Sequence, residues 1–207
     1  MIRVALSIVL LPTALLAGAA RPSNQPATTA PDWRAVATRA DLRRVRDWRD
    51  AFVQGLAEAK VGGSAAALVS EGVLLDPDAA LDAPAISAGR YRCRTLKLGA
   101  GGNAGLAYVA YPAFDCQVAS RSALSILTKT GGSQRPTGQL YPGGARRQIF
   151  LGTLVLGDEN RALAYGRDPG RDMAGVLERI GPQRWRLLFP YPRFESTLDV
   201  IELVPAR

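Results

Sequence analysis

The 207-residue chain is basic and contains no histidine: 26 Lys and Arg residues against 18 Asp and Glu give a formal net charge of +8 at pH 7. The lack of histidine excludes Ser-His-Asp and Cys-His catalysis, histidine-ligated zinc and a histidine pH switch. Hydrophobic residues at 47% and charged residues at 21% are typical of a folded globular chain, and the length suits one domain.

The N-terminus has the layout of a secretory signal peptide. Arg3 precedes an apolar run over residues 4–16, which is too short for a membrane span of ~20 residues. The small residues Ala17 to Ala20 suit a cleavage site. We therefore predict a signal peptide over residues 1–19 and a periplasmic mature protein without a transmembrane span. An uncleaved N-terminal anchor is the alternative. The proline-containing residues 20–31 are predicted to form a flexible tether.

The excess of positive charge is almost entirely arginine. A GC-rich genome would explain this bias without any function. The functional alternative is attraction to an anionic envelope component or to an acidic periplasmic protein, because net charge influences association and not fold. Export makes nucleic acid an unsuitable partner.

The chain has two cysteines, Cys93 and Cys116. An even count in an exported protein predicts one disulfide, joining adjacent strands. A pair of buried free thiols is the alternative.

Residues 32–84 are predicted to form a helical N-terminal segment. Apolar residues from Leu42 to Ala59 recur every three or four positions, which predicts an amphipathic helix over 41–60 with Asp41 as its N-cap. We expect Trp48 and Phe52 to dock this helix onto the rest of the protein. A weaker helix is predicted over 64–70. The aspartates of 76–82 fit Asp-Pro turns better than a calcium loop, since the spacing of an EF-hand is lacking.

After Gly89, short runs typical of β-strands alternate with Gly- and Pro-rich turns. The predicted strands are 91–98, 105–111, 114–118, 123–130, 137–141, 147–156, 162–166, 173–180, 184–190 and 198–204. Eight to ten short strands indicate antiparallel hairpins that close into a barrel. The predicted fold class is α+β, mainly β, with the N-terminal amphipathic helix packed on a small antiparallel meander barrel over residues 85–207.

A basic stripe is the first candidate site for an anion or a partner. Arg90, Arg92 and Arg94 alternate along one strand and share a face, followed by Lys97. The alternative is a solvated strand face whose arginines pair with the acids of neighbouring strands.

Two further candidates lie in turn regions. Arg135 belongs to the Gly-rich segment 131–138, which lacks the Walker and Rossmann motifs and suits a hairpin connection better than a phosphate cradle. Tyr191 belongs to an aromatic and proline-rich corner that could form a recognition loop. Core packing of the aromatic residues in that corner is the alternative.

Carboxylates are concentrated near the C-terminus, at Asp168, Asp172, Glu178, Glu195, Asp199 and Glu202. Paired carboxylates can perform acid–base catalysis when burial raises one pKa. Neighbouring arginines are expected to lower these pKa values instead. We therefore predict no catalytic, metal or cofactor-binding residues, and an enzyme is disfavoured.

Several motifs together resemble an exported alphaproteobacterial family called domain of unknown function 4893. The motifs are Trp33 with the following helix, Gly89 to Arg94 with Lys97 to Gly99, Phe114 to Cys116, Gly131 to Pro136 with Gly138, Tyr141-Pro142, Phe150 to Gly152, Trp185 to Leu187, Phe194-Glu195 and Asp199 to Leu203. The resemblance covers nearly all of the mature chain and implies no activity. A looser similarity links the chain to small periplasmic inhibitor barrels, at the level of fold alone.

The sequence therefore favours a non-enzymatic binding or inhibitor-like barrel. The alternatives are a histidine-free, carboxylate-dependent hydrolase or transferase and an envelope-associated factor held by arginines. An interior filled by side chains would favour binding. A deep pocket with two inward carboxylates would favour an enzyme.

Overall fold

The computed structural model describes residues 31–102 and 105–206. The predicted signal peptide over 1–19 and all of the predicted tether except Pro31 lie outside the described residues. Eight strands form one closed sheet in chain order, each antiparallel to its neighbours, with β8 returning to β1. They are β1 (Gly89–Leu98), β2 (Tyr108–Arg121), β3 (Leu124–Lys129), β4 (Gln134–Pro142), β5 (Arg147–Leu156), β6 (Asp172–Gly181), β7 (Arg184–Pro190) and β8 (Leu198–Pro205). The predicted fold class, a mainly β meander barrel with N-terminal helices, is confirmed.

Three of the ten predicted strands differ from the structure. The predicted strands 105–111 and 114–118 form the single long strand β2, which pairs with β1 through a register shift between Arg94 and Leu96. Residues 162–166 form a loop and not a strand. This loop is held by a buried acid of the N-terminal helices: the Tyr165 hydroxyl donates to Oδ2 of Asp41, which also accepts from the Thr38 hydroxyl.

The helices precede the barrel in a short series. They are α1 (Trp33–Val36), α2 (Arg39–Arg46), α3 (Trp48–Ala59), a π-helical turn (Lys60–Ser64), α4 (Ala65–Ser70) and a 3₁₀ turn (Gly72–Leu75). The predicted single helix over 41–60 is therefore divided at Asp47. The predicted N-cap at Asp41 is wrong, because Thr38 caps α2 and its hydroxyl accepts from the Asp41 amide at 3.2 Å.

The helices lie on the outside of the barrel, where α2 packs on β6 and α3 packs on β1, β7 and β8. Phe52 is fully buried among the outward residues of the barrel wall, whereas Trp48 is half-buried. Gly55 permits this close approach, because a Cβ there would lie 3.1 Å from the Cβ of Leu98 and 3.3 Å from its carbonyl oxygen. The helix layer thus turns the outer face of half the barrel into a second core.

The barrel interior is packed with side chains along most of its length. Phe150 meets Phe189 edge to face at 5.3 Å, and Tyr91 meets Trp185 in the same way at 6.1 Å. The predicted disulfide is confirmed: Cys93 on β1 and Cys116 on the adjacent β2 are bonded inside the barrel, with a Cα–Cα distance of 5.8 Å.

One end of the barrel is closed by the segment that leads into β1. The Trp185 indole donates to the Pro84 carbonyl at 3.1 Å, the Tyr91 hydroxyl donates to the Ser87 carbonyl at 2.8 Å, and Ile86 is buried with the interior residues. Residues 84–88 therefore form a plug that crosses the predicted boundary between the helical segment and the barrel. No helix in the described part of the chain is long and apolar enough to cross a membrane.

Candidate ligand-binding site at the barrel mouth

The opposite end of the barrel holds a cavity of about 230 Å³, which we call the mouth cavity. Its walls come from the ends of β1, β3, β5 and β7 and the beginnings of β2, β4, β6 and β8, as antiparallel order requires. The loop from β7 to β8, residues 191–197, forms one side of the opening and is called the rim loop here. The barrel is thus filled and plugged at one end and hollow at the other.

Apolar side chains form much of the lining of the mouth cavity. They include Phe114, Leu154, Met173, Phe189 and Ile201. Phe189 is 2% exposed and is fixed from below by the ring of Phe150. A rigid apolar lining with a few polar groups is the usual composition of a small-molecule site.

Lys97 reaches the mouth cavity from β1 and is 6% exposed. Its ammonium lies 3.3 Å from Asp199 Oδ2 and 3.2 Å from Glu195 Oε2. The Ser196 hydroxyl donates to the other oxygen of Asp199 and so orients that carboxylate. Burial opposes the charge of Lys97, but the two carboxylates prevail and raise its pKa. Lys97 is therefore a buried, permanently charged group at neutral pH.

Lys129 enters the cavity from the end of β3 and is 5% exposed. Its ammonium donates to the carbonyl oxygens of Gly131 at 2.6 Å and Gln134 at 3.1 Å, and lies 4.3 Å from the centre of the Phe114 ring. Among the described residues, its polar partners are thus neutral carbonyls and not a carboxylate. Burial, with a smaller contribution from the charge of Arg135, lowers the pKa of Lys129 to about 8.

The rim loop holds two non-glycine residues in the left-handed region, Tyr191 with φ 46° and Glu195 with φ 74°. Such conformations persist where surrounding contacts fix them. Here the Tyr191 amide donates to the Thr197 carbonyl at 2.9 Å, and the Thr197 hydroxyl donates to Glu58 of α3 at 2.8 Å. The rim loop is therefore anchored to the helix layer at its base, while Glu195 at its inner side contacts Lys97.

The lining carries more positive than negative charge. Its cationic residues are Arg44, Lys97, Lys129, Arg171 and Arg193, and its acidic residues are Asp172, Glu195 and Asp199. Two of these cations pair with acids outside the lining: Arg44 contacts Asp41 at 3.0 Å and Arg171 contacts Glu159 at 2.8 Å. The charge of Lys129 has no acidic partner among the described residues, so it is the group of the lining that would attract an anion.

The sequence-predicted basic stripe does not form one site. Arg92 pairs with Asp115, and Arg94 pairs with Glu71 and Glu202, as in the alternative of a paired strand face. Arg90 is exposed on the same strand. Lys97 points to the other side of β1, into the mouth cavity, because strand residues alternate in direction.

The other two predicted contact residues lie outside the mouth cavity. Arg135 donates to the carbonyls of Gly132, Gly157 and Glu159 and so binds the loops beside it. The Tyr191 hydroxyl donates to Gln54 of α3 at 3.1 Å, and the residue is 37% exposed. Both arrangements hold loops in place, and neither presents a free anion site.

Sequence reasoning missed Lys129 as a site residue. The chain has only three lysines, and the alternation of β3 places Lys129 on the same side as the buried Leu127. Strand alternation alone therefore predicts that Lys129 faces the barrel interior near one end of the barrel.

The predicted effect of arginines on the C-terminal carboxylates is wrong for two residues in the mouth cavity. Burial raises the pKa of Asp172 and of Asp199, although Lys97 opposes the shift at Asp199. Glu178 does not line the cavity and lies beneath the helices. No group of three or more Cys, Asp or Glu side chains within residues 31–102 and 105–206 is arranged to hold a metal ion.

The protein is thus a closed eight-stranded meander barrel, and a small cavity lined by polar and apolar side chains lies at one of its ends. Residues 33–203 match the family described as domain of unknown function (DUF4893), so the chain belongs to this family. Neither a curated protein nor a solved structure matches the chain.

Proposed function

We propose that this protein is an exported, non-enzymatic binding module that holds a small organic anion in the mouth cavity. The observation that carries the proposal is the pair of buried lysines, Lys97 and Lys129, which enter one apolar cavity from different strands. Burying a cation is unfavourable unless it is paired. Lys129 has only neutral acceptors among the described residues, so an anion beside it would complete its neutralisation.

The size and lining of the cavity restrict the ligand. A volume of about 230 Å³ is below the usual range of roughly 300–1,000 Å³ for drug-sized ligands. The apolar lining of Phe114, Met173 and Phe189 suits a short hydrocarbon or aromatic body. Small monocarboxylates with such a body, for example butyrate, hexanoate or benzoate, fit this description.

Ligand-observed NMR and calorimetry on the mature protein test the proposal. We expect binding of the monocarboxylates and no binding of the corresponding neutral amides. Lys129→Met should weaken binding at least tenfold, because it removes the charge and keeps the length of the side chain. Lys60→Met is the matched control, since Lys60 is exposed on the π-helical turn. Equal binding of acids and amides, or no binding of either, would contradict the proposal.

Export to the periplasm is part of the same proposal. It is supported by the disulfide, since such bonds form and persist in oxidising compartments. N-terminal sequencing of the protein from a periplasmic fraction should give a start near Ala20. An intact Met1 on membrane-bound protein would favour the uncleaved anchor.

A carboxylate-dependent hydrolase or transferase is the second candidate. The observation in its favour is that Asp172 and Asp199 both line the mouth cavity and that burial raises the pKa of each. Against it, Asp199 is engaged by Lys97 and Ser196, and Asp172 accepts from the Gly166 amide at 2.8 Å. Turnover of an ester, glycoside or peptide that is lost in Asp199→Asn, with the fold intact by circular dichroism, would favour the enzyme.

A further inference from the structure

Glu195 has an unusual position for the partner of a buried cation. Its side chain is 57% exposed, whereas that of Lys97 is 7% exposed and that of Asp199 is 11% exposed. Glu195 is therefore a largely exposed side chain that contacts a buried cation of the mouth cavity.

Lys97 has a second carboxylate partner in a fixed position. Asp199 lies on β8 directly opposite Lys97 of β1, and the Ser196 hydroxyl fixes its orientation. The single positive charge of Lys97 is thus balanced by Asp199 alone. The carboxylate of Glu195 adds a second negative charge that neutralisation of Lys97 does not require.

The backbone conformation of Glu195 is also unfavourable. Its φ of 74° is in the region that side-chain-bearing residues rarely adopt. Because the side chain is more than half exposed, its ion pair with Lys97 is screened by solvent and contributes little to stability. The contact can therefore be exchanged at low cost if another carboxylate takes its place.

We propose that Glu195 is an exchangeable internal carboxylate, which occupies on Lys97 the position taken by the carboxylate of the bound ligand. This inference rests on the function proposed above, and it identifies Lys97 as the group that binds the carboxylate of the ligand. Exchange replaces one carboxylate by another on Lys97, so no buried charge is left unpaired. The rim loop from Arg193 to Glu195 then moves away from the mouth, while Ser196 stays on Asp199 and the base of the loop remains anchored through Thr197 and Glu58.

The test compares hexanoate and benzoate binding in the wild type and in Glu195→Gln by calorimetry. Removing the internal competitor should tighten binding about two- to fivefold, the range expected for losing a weak ion pair. Glu195→Gly provides a second variant, because glycine accepts the left-handed backbone. Asp158→Asn, which removes an exposed carboxylate after β5, is the matched control and should leave affinity unchanged.

The Lys97→Met variant tests whether the effect of Glu195 depends on Lys97 or only on the removal of a negative charge near the cavity. In that variant, binding should weaken, and adding Glu195→Gln should give no further gain. Unchanged or weaker binding in both Glu195 variants, with the wild type still binding in a Lys129-dependent way, would overturn the exchange and leave the proposed function standing. An absence of carboxylate binding in the wild type and in both Glu195 variants would overturn the proposed function as well. Binding that appears only in the Glu195 variants would contradict the function proposed for the wild type and would show that Glu195 blocks the site instead of exchanging.

Discussion

Glu178 on β6 and Arg186 on β7 face each other in register and form an ion pair with no solvent exposure. Arg186 donates its Nε and Nη2 groups to Glu178 Oε2 at 2.9 and 2.7 Å. Its remaining Nη1 group donates to the carbonyls of Leu74 and Asp76 at 2.9 and 2.6 Å. The pair therefore connects the barrel wall to the carbonyl end of the last helical turn.

The same pair organises the contact with α3. The guanidinium of Arg186 lies 4.9 Å from the centre of the Phe52 ring, and Arg147 reaches the other oxygen of Glu178 at 2.7 Å while its guanidinium lies 4.4 Å from the Trp48 ring. The helix layer is thus docked by aromatic rings resting on a buried charged cluster. Burial lowers the pKa of Arg186, although the charge of Glu178 opposes this shift. A buried charge is costly without its partner, so we expect the stability of this contact to depend on the pair.

We expect Glu178→Gln to lower the free energy of unfolding by about 3–5 kcal/mol, because it leaves the buried charge of Arg186 uncompensated. Urea unfolding followed by circular dichroism measures this loss. Asp115→Asn is the control, since it breaks the exposed pair with Arg92 and should cost less than about 1 kcal/mol. Equal losses of unfolding free energy in the two variants would contradict the expectation that the buried pair matters more than the exposed one.

Phe52 should be a stronger docking residue than Trp48. Phe52→Ala is expected to cost about 3–5 kcal/mol, the usual range for a fully buried aromatic residue. Trp48 is half-buried and rests on Arg147, so Trp48→Ala should cost less, about 1–2 kcal/mol. Denaturant melts of the two variants give the order, and a larger loss in Trp48→Ala would show that the docking contact is assigned to the wrong ring.

Removal of the disulfide should lower stability without changing the fold. Replacing Cys93 and Cys116 together by alanine is expected to cost about 2–5 kcal/mol, because the bond restricts the unfolded chain. Thermal unfolding of the wild type with and without a reductant provides a second measure. Mass spectrometry of the non-reduced protein should find no free thiol; two free thiols would contradict the bonded pair.

The lowered pKa of Lys129, about 8, predicts a pH effect on ligand binding. As the pH rises from 7 to 9, the ammonium loses its proton and its attraction for a carboxylate, so binding should weaken across this interval. Calorimetric titrations at several pH values measure the change. Lys129→Met should bind weakly at every pH, and Lys60→Met should follow the wild type.

The same residue predicts a pH effect on stability. The pKa of Lys129 in the folded protein is below the ordinary lysine value of 10.5, so the unfolded chain binds more protons between these two pH values. The contribution of Lys129 to stability should therefore increase from pH 8 to pH 10.5. The difference in unfolding free energy between wild type and Lys129→Met should show this increase, and a constant difference would contradict it.

Local patterns in the sequence determined much of this fold. Alternation and turn residues after Gly89 specify short antiparallel strands, because side chains on a strand point to opposite faces with a period of two. The alternation also placed Tyr91 and Cys93 together on the inner side. Two cysteines in a chain of this kind allow only one internal pairing, so the disulfide was predictable too.

Only the tertiary structure decided which outward residues of the barrel are covered and which inward ones meet. Glu178 and Arg186 lie on the outer face, where charged residues are normally solvated, and only the packing of α3 and the 3₁₀ turn buries them. Lys97 and Lys129 come from β1 and β3, and they share a cavity only because β8 closes on β1 and brings the strand ends into one ring. Alternation fixes the side of a strand that a residue faces, whereas closure and helix docking depend on contacts between residues far apart in the chain, which a local pattern does not encode.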